Sequence, residues 1–157
     1  MEEKRQALVA ELAAAVTAYQ RATDAFDEAV AARLDVNRTD LRCLDLLFDG
    51  PLTAGQLAAA AGLSPAATTT LIDRLERKGY LGRVRDTADR RRVLVELTDL
   101  ARQRAWQMYG PLAEEGAADA TRRSDAQVKL VIDFLRHGCD LTERHRKRVT
   151  EQQINRD

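Results

Sequence analysis

The chain has 157 residues, enough for one domain with a buried core, and its composition (45% hydrophobic, 32% charged) is that of a soluble globular protein. Its 25 basic and 25 acidic residues cancel, which excludes a uniformly basic surface and leaves any binding of nucleic acid to local clusters. No apolar segment has the length of a membrane span, and the N-terminus lacks the pattern of a secretory signal, so we expect a cytoplasmic protein.

A long helix is predicted at residues 5–34. Its apolar residues alternate spacings of four and three, which is typical of the seam of a coiled-coil contact. The seam consists of Leu12, Val16, Tyr19, Thr23, Phe26 and Val30. So narrow a stripe needs a partner surface, and we expect the C-terminal helices or a second chain to cover it. Packing on its own domain alone is the alternative.

Residues 37–78 predict three shorter helices with well-marked beginnings. A capping box places Ser, Thr or Asn before a helix and an acidic or amide residue three positions later. The matching pairs are Asn37 with Asp40, and Thr53 with Gln56. Gly62 then supplies a left-handed turn, Ser64 caps the next helix, and Pro65 occupies its first position. Two short helices joined by so tight a turn indicate a helix-turn-helix.

The fourth helix is predicted from Pro65 to about Lys78, and its two faces differ in character. Its inner face is expected to contain Ala67, Thr68, Leu71, Ile72 and Leu75. Its outer face is expected to show Ala66, Thr69, Thr70, Asp73, Arg74 and Arg77. The outer face is the one available to a partner.

After Tyr80 the hydrophobic period changes to two, which predicts a β-hairpin. One strand is expected at residues 81–85 and the other at residues 92–97, with a polar tip at residues 86–91. A helix-turn-helix followed by an arginine-rich hairpin, or wing, is a shape suited to pressing on duplex DNA.

Two more helices are predicted after the hairpin. Thr98 caps the fifth, and Pro111 within its pattern predicts a kink or a break near Gly110. Ser124 with Gln127 forms a third capping box and opens the last helix. The fold class is therefore mainly α, a winged helix-turn-helix of about six helices plus a two-stranded β-wing.

Several motifs between residues 52 and 98 belong together. The hairpin carries Asp89-x-Arg91, five residues, and then Leu97-Thr98, while Thr53 to Ala58 and Ile72 to Gly79 fit the same pattern upstream. In these motifs, and in element order along the whole chain, the sequence resembles the MarR family of bacterial transcriptional regulators.

The resemblance implies one MarR-like domain over residues 1–157. Residues 36–98 would form the winged helix that binds DNA, and residues 1–34 and 99–157 would be dimerisation helices. It also implies a homodimer that recognises a pseudo-palindrome in double-stranded DNA, and, in many members, release by a small phenolic or anionic molecule. Other members of the family sense oxidants through cysteine.

The sequence departs from the family pattern at several positions. Thr70 stands where the recognition helix usually carries a basic residue, and Thr68 where it usually carries Val. Thr87 replaces a common wing Pro, and Ala101 replaces a usual Gly. The first helix lacks the reactive cysteine of the organic-hydroperoxide sensors.

The expected DNA contacts divide between the fourth helix and the wing. Helix N-termini bind phosphates, and Thr hydroxyls or Thr and Ala methyls can meet base edges. Arginine in a narrow minor groove gains from the negative potential there, and the resemblance assigns that role to Arg91, with Asp89 orienting it or bracing the wing. The full set is Ser64, Pro65, Ala66, Thr69, Thr70, Arg74, Arg77, Arg83, Arg85, Asp89, Arg90, Arg91 and Arg92. A solvated hairpin whose arginines pair with Asp86 and Asp89 is the alternative.

Other sites are weakly marked. An effector pocket could be lined by Tyr19, Phe26, Leu44, Phe48, Trp106 and Tyr109, although aromatic residues at helical spacing also form cores. Cys43 fits a buried thiol better than a redox switch, and Cys139 is expected to be exposed. His137 and His145 have no metal-ligand spacing. We expect no cofactor, no metal and no enzymatic activity, since no catalytic constellation is present.

The sequence therefore predicts a DNA-binding transcriptional regulator, a homodimeric repressor released by a small ligand. Two alternatives stay open. The neutral recognition helix and zero net charge would also suit a winged-helix protein-interaction module without DNA affinity. Cys43, next to Arg42, would suit a thiol-based sensor of the same fold.

Overall fold

A computed structural model describes residues 2–154, which form six helices and three strands. The chain divides into two compact units, the first ending at Met108 and the second beginning at Tyr109. Within residues 2–154, none of the helices combines the length and the apolar character needed to cross a bilayer.

Helix α1 spans Glu2–Leu34, three residues longer at its start than predicted. Its buried residues, Val30, Ala31 and Leu34, all lie in its last turns. Toward the N-terminus the seam is open, with Leu12 46% and Tyr19 68% exposed. A single copy of the first unit therefore leaves the predicted seam largely uncovered.

The helix-turn-helix follows as α2 (Arg38–Leu46), α3 (Ala54–Ala61) and α4 (Pro65–Arg77). Their inward side chains form one core with those of the wing strands, with Leu47 after α2 and with Ala101 after the wing. It consists of Cys43, Leu44, Leu47, Leu57, Ala61, Leu71, Ile72, Leu75, Leu81, Val95, Leu97 and Ala101. Ala58 and Ala61 on α3 are small, which lets the neighbouring helices approach closely.

The wing is part of a three-stranded antiparallel sheet of order β1-β3-β2. Strands β2 (Leu81–Arg85) and β3 (Val93–Leu97) form the predicted hairpin, with Arg83 opposite Val95. The additional strand β1 (Leu52–Thr53) pairs with β3 and was not predicted. Two residues are too few to show an alternating pattern, so only the tertiary pairing reveals them.

Helix α5 (Asp99–Thr121) continues through Pro111, so of the kink or break predicted near Gly110 the break is not found. Proline removes one backbone donor and crowds the carbonyl four residues earlier, so the kink stays a prediction. Helix α6 (Asp125–Ile154) begins at the predicted capping box, since the Ser124 amide donates to Gln127 Oε1 at 2.9 Å and the Gln127 amide to Ser124 Oγ at 3.3 Å.

Candidate nucleic-acid interface

The position of α4 is set by the caps that the sequence predicts. Thr53 and Gln56 exchange the two hydrogen bonds of a capping box at the start of α3. Gly62 ends α3 with φ of 68°, a left-handed conformation that glycine adopts without strain. Ser64 caps α4, its Oγ accepting from the Ala67 amide at 3.2 Å. The turn between the two helices is thus fixed at both ends.

The inner face of α4 is close to the prediction. Thr68, Leu71, Ile72 and Leu75 are buried as expected. Ala67 was also expected there and is exposed, so that assignment is wrong. Its place in the first turn, over the Ser64 cap, leaves it beyond the edge of the core.

Arg74 is tied to the interior of the protein. Its guanidinium binds the Asp40 carboxylate with two hydrogen bonds, one from Nε to Oδ2 at 3.1 Å and one from the terminal nitrogen to Oδ1. Asp40 is 1% exposed and also closes the α2 capping box with Asn37. The hydrogen bond to Asp40 raises the pKa of Arg74. Arg74 was expected to serve phosphates, but its guanidinium is engaged in joining α4 to α2.

Sequence reasoning identified Asp40 as a capping residue but missed its role as the partner of Arg74. The two residues are 34 positions apart, and no local pattern connects them. A carboxylate in a capping box at a position facing the core is the signal that could have prompted a search for a cation.

The outer face of the first two turns of α4 is small and uncharged. Ala66, Thr69 and Thr70 are exposed, as expected for a surface that meets a partner. The Thr69 hydroxyl donates to the Pro65 carbonyl at 3.0 Å, and the Thr70 hydroxyl to the Ala66 carbonyl at 3.1 Å. Both hydroxyl protons are therefore occupied within the helix itself.

The N-terminus of α4 offers fewer amides than a helix end can. Pro65 has no N–H, and the Ala67 amide donates to Ser64 Oγ. The Thr68 amide donates to the Ser64 carbonyl. Ala66 lies in the first turn of α4, where a helix leaves its amides without intrahelical acceptors, so its amide can meet a phosphate.

The wing tip is shaped by two aspartates. Asp86 Oδ1 accepts from the Ala88 amide at 2.8 Å, and Asp89 Oδ1 accepts from the Arg91 amide at 3.0 Å. The Arg92 amide closes the turn on the Asp89 carbonyl at 2.9 Å. Such side-chain turns stabilise a short connection without glycine. Asp89 therefore braces the backbone on which Arg91 stands.

The arginines around the wing fall into two groups, and those of the first group bond to other groups of the protein. Arg83 binds Asp73 at 2.7 Å and Glu76 at 3.0 Å, which links β2 to α4, and Arg92 lies 3.7 Å from Asp86. Arg77 Nε donates to the Asp73 carbonyl at 3.2 Å.

The second group consists of Arg85, Arg90 and Arg91, which are exposed. Among residues 2–151 no acidic side chain lies within ion-pair distance of them. Pairing with both Asp86 and Asp89 was the alternative for a solvated hairpin, and it is found only at Arg92 with Asp86.

The residues suggested for an effector pocket occupy different environments. Leu44 lies in the core of the winged helix. Tyr19, Phe48 and Trp106 are exposed, Trp106 by 63%. Phe26 is half-buried in the first unit, and Tyr109 is half-buried in the second.

The two cysteines have the environments that the sequence indicated. Cys43 is buried in the core and Cys139 is exposed. Burial raises the pKa of the Cys43 thiol, and the Asp40 charge raises it further against the opposing effect of Arg42. A raised pKa lowers the thiolate fraction, which opposes reactivity. Among the described residues, no cluster of His, Cys, Asp and Glu is placed to hold a metal ion.

Comparison with known sequences gives a consistent result. A family model described as MarR matches residues 36–93. The HTH-type transcriptional regulator YcgE of Bacillus subtilis is 32% identical over 127 residues, 80% of this chain and 82% of that protein. The HTH-type transcriptional regulator YwhA of the same organism is 35% identical over 95 residues, 60% of this chain and 68% of that protein.

Solved structures share the fold at lower identity. A MarR family protein from Bacillus stearothermophilus has a TM-score of 0.65 at 22% identity, over 88% of this chain and 97% of that chain. The S. aureus MepR–DNA complex has a TM-score of 0.53 at 18% identity, over 76% of this chain and 96% of that chain.

Helices α3 and α4 with the arginine-tipped wing define a winged helix-turn-helix transcriptional regulator. The similarity to YcgE extends over about four-fifths of both proteins, well beyond the winged helix. The chain belongs to the MarR family, as its motifs predicted. It is a regulator and not an enzyme.

Proposed function

We propose that the protein is a homodimeric repressor that binds a pseudo-palindromic operator in double-stranded DNA through α4 and the wing. The observation that carries this proposal is the wing tip, where Arg90 and Arg91 project without acidic partners among residues 2–151. Arg83 fixes that wing to α4 through Asp73 and Glu76. A braced, unneutralised cationic hairpin beside a recognition helix suits minor-groove and major-groove contacts made together.

The homodimer has separate support. Apolar side chains along α1 are exposed in a single copy, Leu8 by 54% and Leu12 by 46%, and α6 exposes Leu135 and Leu141 as well. A helix of 33 residues with so little of its stripe covered needs a partner surface. Sedimentation equilibrium should give twice the chain mass of 17.5 kDa; a monomer at micromolar concentration would overturn this part of the proposal.

The DNA contact is tested by its dependence on salt. We expect the protein to bind duplex fragments of its own genome, and to lose affinity by roughly a thousandfold between 50 and 200 mM salt if about six phosphates are neutralised. Fluorescence anisotropy over a salt series gives the slope, and footprinting locates the operator. The same titration with bovine serum albumin in place of the protein is the control for non-specific changes in anisotropy. Absence of binding at low salt would contradict the proposal.

The remaining parts follow from the family resemblance. We propose that the protein acts in the cytoplasm and that a small phenolic or anionic ligand releases it from DNA. Footprints repeated with phenol and with benzoate separate the two ligand classes, and reporter transcription in a deletion strain separates repression from activation. A footprint that neither compound changes would contradict this choice of ligand class.

The two alternative functions remain distinguishable. A protein-interaction module predicts recovery of a protein partner and no duplex from the same extract. A thiol sensor predicts that peroxide changes DNA affinity through Cys43, which its burial and raised pKa oppose. A Cys43→Ser variant that loses a peroxide response would favour the sensor, whereas an unchanged footprint under peroxide would exclude it.

A further inference from the structure

Three consecutive threonines on α4 adopt the same arrangement. The hydroxyl groups of Thr68, Thr69 and Thr70 each donate to the carbonyl four residues earlier, at 3.0, 3.0 and 3.1 Å. Thr68 is buried, whereas Thr69 and Thr70 are exposed on the outer face. Threonine hydroxyls in a helix can bond the carbonyl three or four residues earlier, and all three threonines here bond the one four residues earlier.

The bond changes what the two exposed threonines offer to a partner. Each hydroxyl proton is already used, so neither side chain brings a free donor to a base edge. With the oxygen turned toward the helix carbonyls, the γ-methyl group is the part left to meet a partner. Direct recognition through a donated hydrogen bond would require each threonine hydroxyl to break the bond to its own helix.

The surroundings of the two threonines are also methyl groups. Ala66 and Ala67 are exposed on the same first turns of α4. Between Pro65 and Ile72 the sequence contains no charged or amide side chain. The next residue, Asp73, is held by Arg83 at 2.7 Å. The surface at the start of α4 is therefore small and uncharged over two turns, and its threonine hydroxyl protons are already used within the helix.

We infer that this surface selects operator DNA through the 5-methyl groups of thymine, with Thr69 and Thr70 as specificity-determining residues. The inference rests on the proposed function, in which α4 enters the major groove. Thymine is the base that presents an apolar group there, whereas guanine, adenine and cytosine present donors and acceptors. The surface offers shape and methyl contact, and the charged wing supplies the affinity that such contact lacks.

The competing possibility is a hydrogen bond accepted by the threonine oxygen. A hydroxyl that donates to its own helix can still accept from the amino group of adenine or cytosine. The two possibilities differ in which atom matters. Thr→Val keeps the branched shape and removes the oxygen, and Thr→Ser keeps the oxygen and removes the methyl. Thr, Val and Ser have similar helix propensities, so both changes should leave the helix folded.

The experiment uses the full-length protein and the tightest duplex that it selects from a random pool. That duplex is synthesised with deoxyuridine replacing thymidine at one position at a time, which removes only the 5-methyl group. At two or more positions of each half-site we expect the affinity to fall about fourfold. This is the change in Kd that corresponds to the free energy of burying one methyl group. Uracil elsewhere in the duplex is the internal control.

The variants complete the test. We expect Thr69→Val and Thr70→Val to bind within about twofold of the wild type, and Thr69→Ser and Thr70→Ser to lose about fourfold. For each serine variant, replacing thymine by uracil at the position that the threonine contacts should cause no further loss of affinity. Once one of two methyl groups in contact is removed, removal of the other has no additional effect, which a double-mutant cycle detects. Thermal melting of each variant checks that folding is unchanged.

Several results would overturn the inference. If the valine variants weaken while the serine variants bind normally, the hydroxyl oxygen carries the contact. If uracil is neutral throughout the half-site, α4 does not recognise thymine methyl groups. Either result leaves the proposed function standing, because a duplex was selected. Failure to select any duplex overturns the proposed function itself and this inference with it.

Discussion

The recognition helix and the wing both carry arginines, but they use them differently. On α4, Arg74 binds buried Asp40 and Arg77 returns a hydrogen bond to the Asp73 carbonyl. At the wing tip, Arg90 and Arg91 have no acidic partner among residues 2–151. Equal formal charge therefore does not mean equal availability. On α4 the Arg74 guanidinium is bound to Asp40, whereas at the wing tip Arg90 and Arg91 stay available to a partner.

Burial explains the difference. Asp40 is inside the protein, where an ionised carboxylate without a partner is costly. Arg74 is the guanidinium within reach, so α4 is held by the same pair that satisfies Asp40. At the wing tip Asp89 is exposed, and both Asp86 and Asp89 bond to backbone amides, with Asp86 also 3.7 Å from Arg92. Water can screen the tip arginines, and they need no internal partner.

The largest expected effect comes from breaking the pair on the helix. Arg74→Met keeps much of the apolar stem and leaves the Asp40 carboxylate buried with only its cap donors. We expect the free energy of unfolding to fall by about 3 kcal/mol, the lower end for such a change, because Arg74 is itself partly exposed. Denaturant unfolding at one fixed protein concentration measures it, since dimerisation would make stability depend on concentration.

Arg77→Met is the matched control on the same helix. Arg77 is exposed and bonds to a backbone carbonyl, so its loss should change the unfolding free energy by no more than about 0.5 kcal/mol. Equal stability of the two variants would show that the Asp40 carboxylate does not need Arg74. The difference between a committed arginine on α4 and unpaired arginines at the wing tip would then have no energetic basis.

The next effect concerns DNA affinity and compares two arginines of the wing. We expect Arg91→Ala to raise the Kd for the operator about thirtyfold, equivalent to about 2 kcal/mol, without changing stability. We expect Arg83→Ala to raise it about threefold, because Arg83 is committed to Asp73 and Glu76 and acts by positioning the wing.

Both variants are measured by anisotropy at the same salt, and the salt slope separates their roles. Arg91→Ala should make the slope shallower, since it removes a charge at the DNA, while Arg83→Ala should leave it nearly unchanged. A larger loss at Arg83 than at Arg91 would reverse the assignment of the two residues.

The smallest expected effect is a pH dependence of stability at the C-terminal end of α4, where Lys78 caps the helix. The Asp35 carboxylate accepts from Lys78 Nζ at 2.5 Å, and this bond lowers the pKa of Asp35. An acid with a lowered pKa stabilises the folded chain above its ordinary value near pH 4, and that contribution is lost as the pH falls through the lowered pKa.

We therefore expect a small acid-dependent loss of stability that Asp35→Asn does not show. Asn tolerates the left-handed conformation that Asp35 adopts, with φ of 53°, so the backbone stays the same. Unfolding curves of both proteins between pH 6 and about pH 3 make the comparison. Identical pH profiles would show that Asp35 contributes no net interaction.

The boundaries of the helix-turn-helix could be predicted because they depend on local chemistry. Asn37, Thr53, Ser64 and Ser124 cap helices through hydrogen bonds within three residues, and Gly62 takes the expected left-handed turn. Each of these interactions is complete within one short window of sequence.

Features that depend on distant partners could not be predicted in the same way. Strand β1 exists because Leu52 meets Val95, and Arg74 is committed because Asp40 lies beneath it. Ala67 was assigned inward from helical spacing alone, yet the core ends before it. Helix α5 continues through Pro111, so the break that the local rule allows is not found.

The outer face of α4 also has one feature that the sequence predicts and one that only the structure shows. The sequence identifies Thr69 and Thr70 as outward residues and leaves open whether their hydroxyl or methyl groups would serve. The structure shows where the hydroxyl protons go, because the hydroxyls bond to the carbonyls of Pro65 and Ala66. Composition alone cannot distinguish these two chemical surfaces.

The bare apolar stripe of α1 has a consequence for how much of the regulator a cell can keep. If a second copy covers Leu8, Leu12 and Tyr19, association stabilises the folded chain by mass action. At low abundance the subunits separate, and their open helices become substrates for proteases. The rate constant for degradation would then rise as the concentration of the regulator falls. When cell growth dilutes the protein, its loss would therefore be faster than dilution alone.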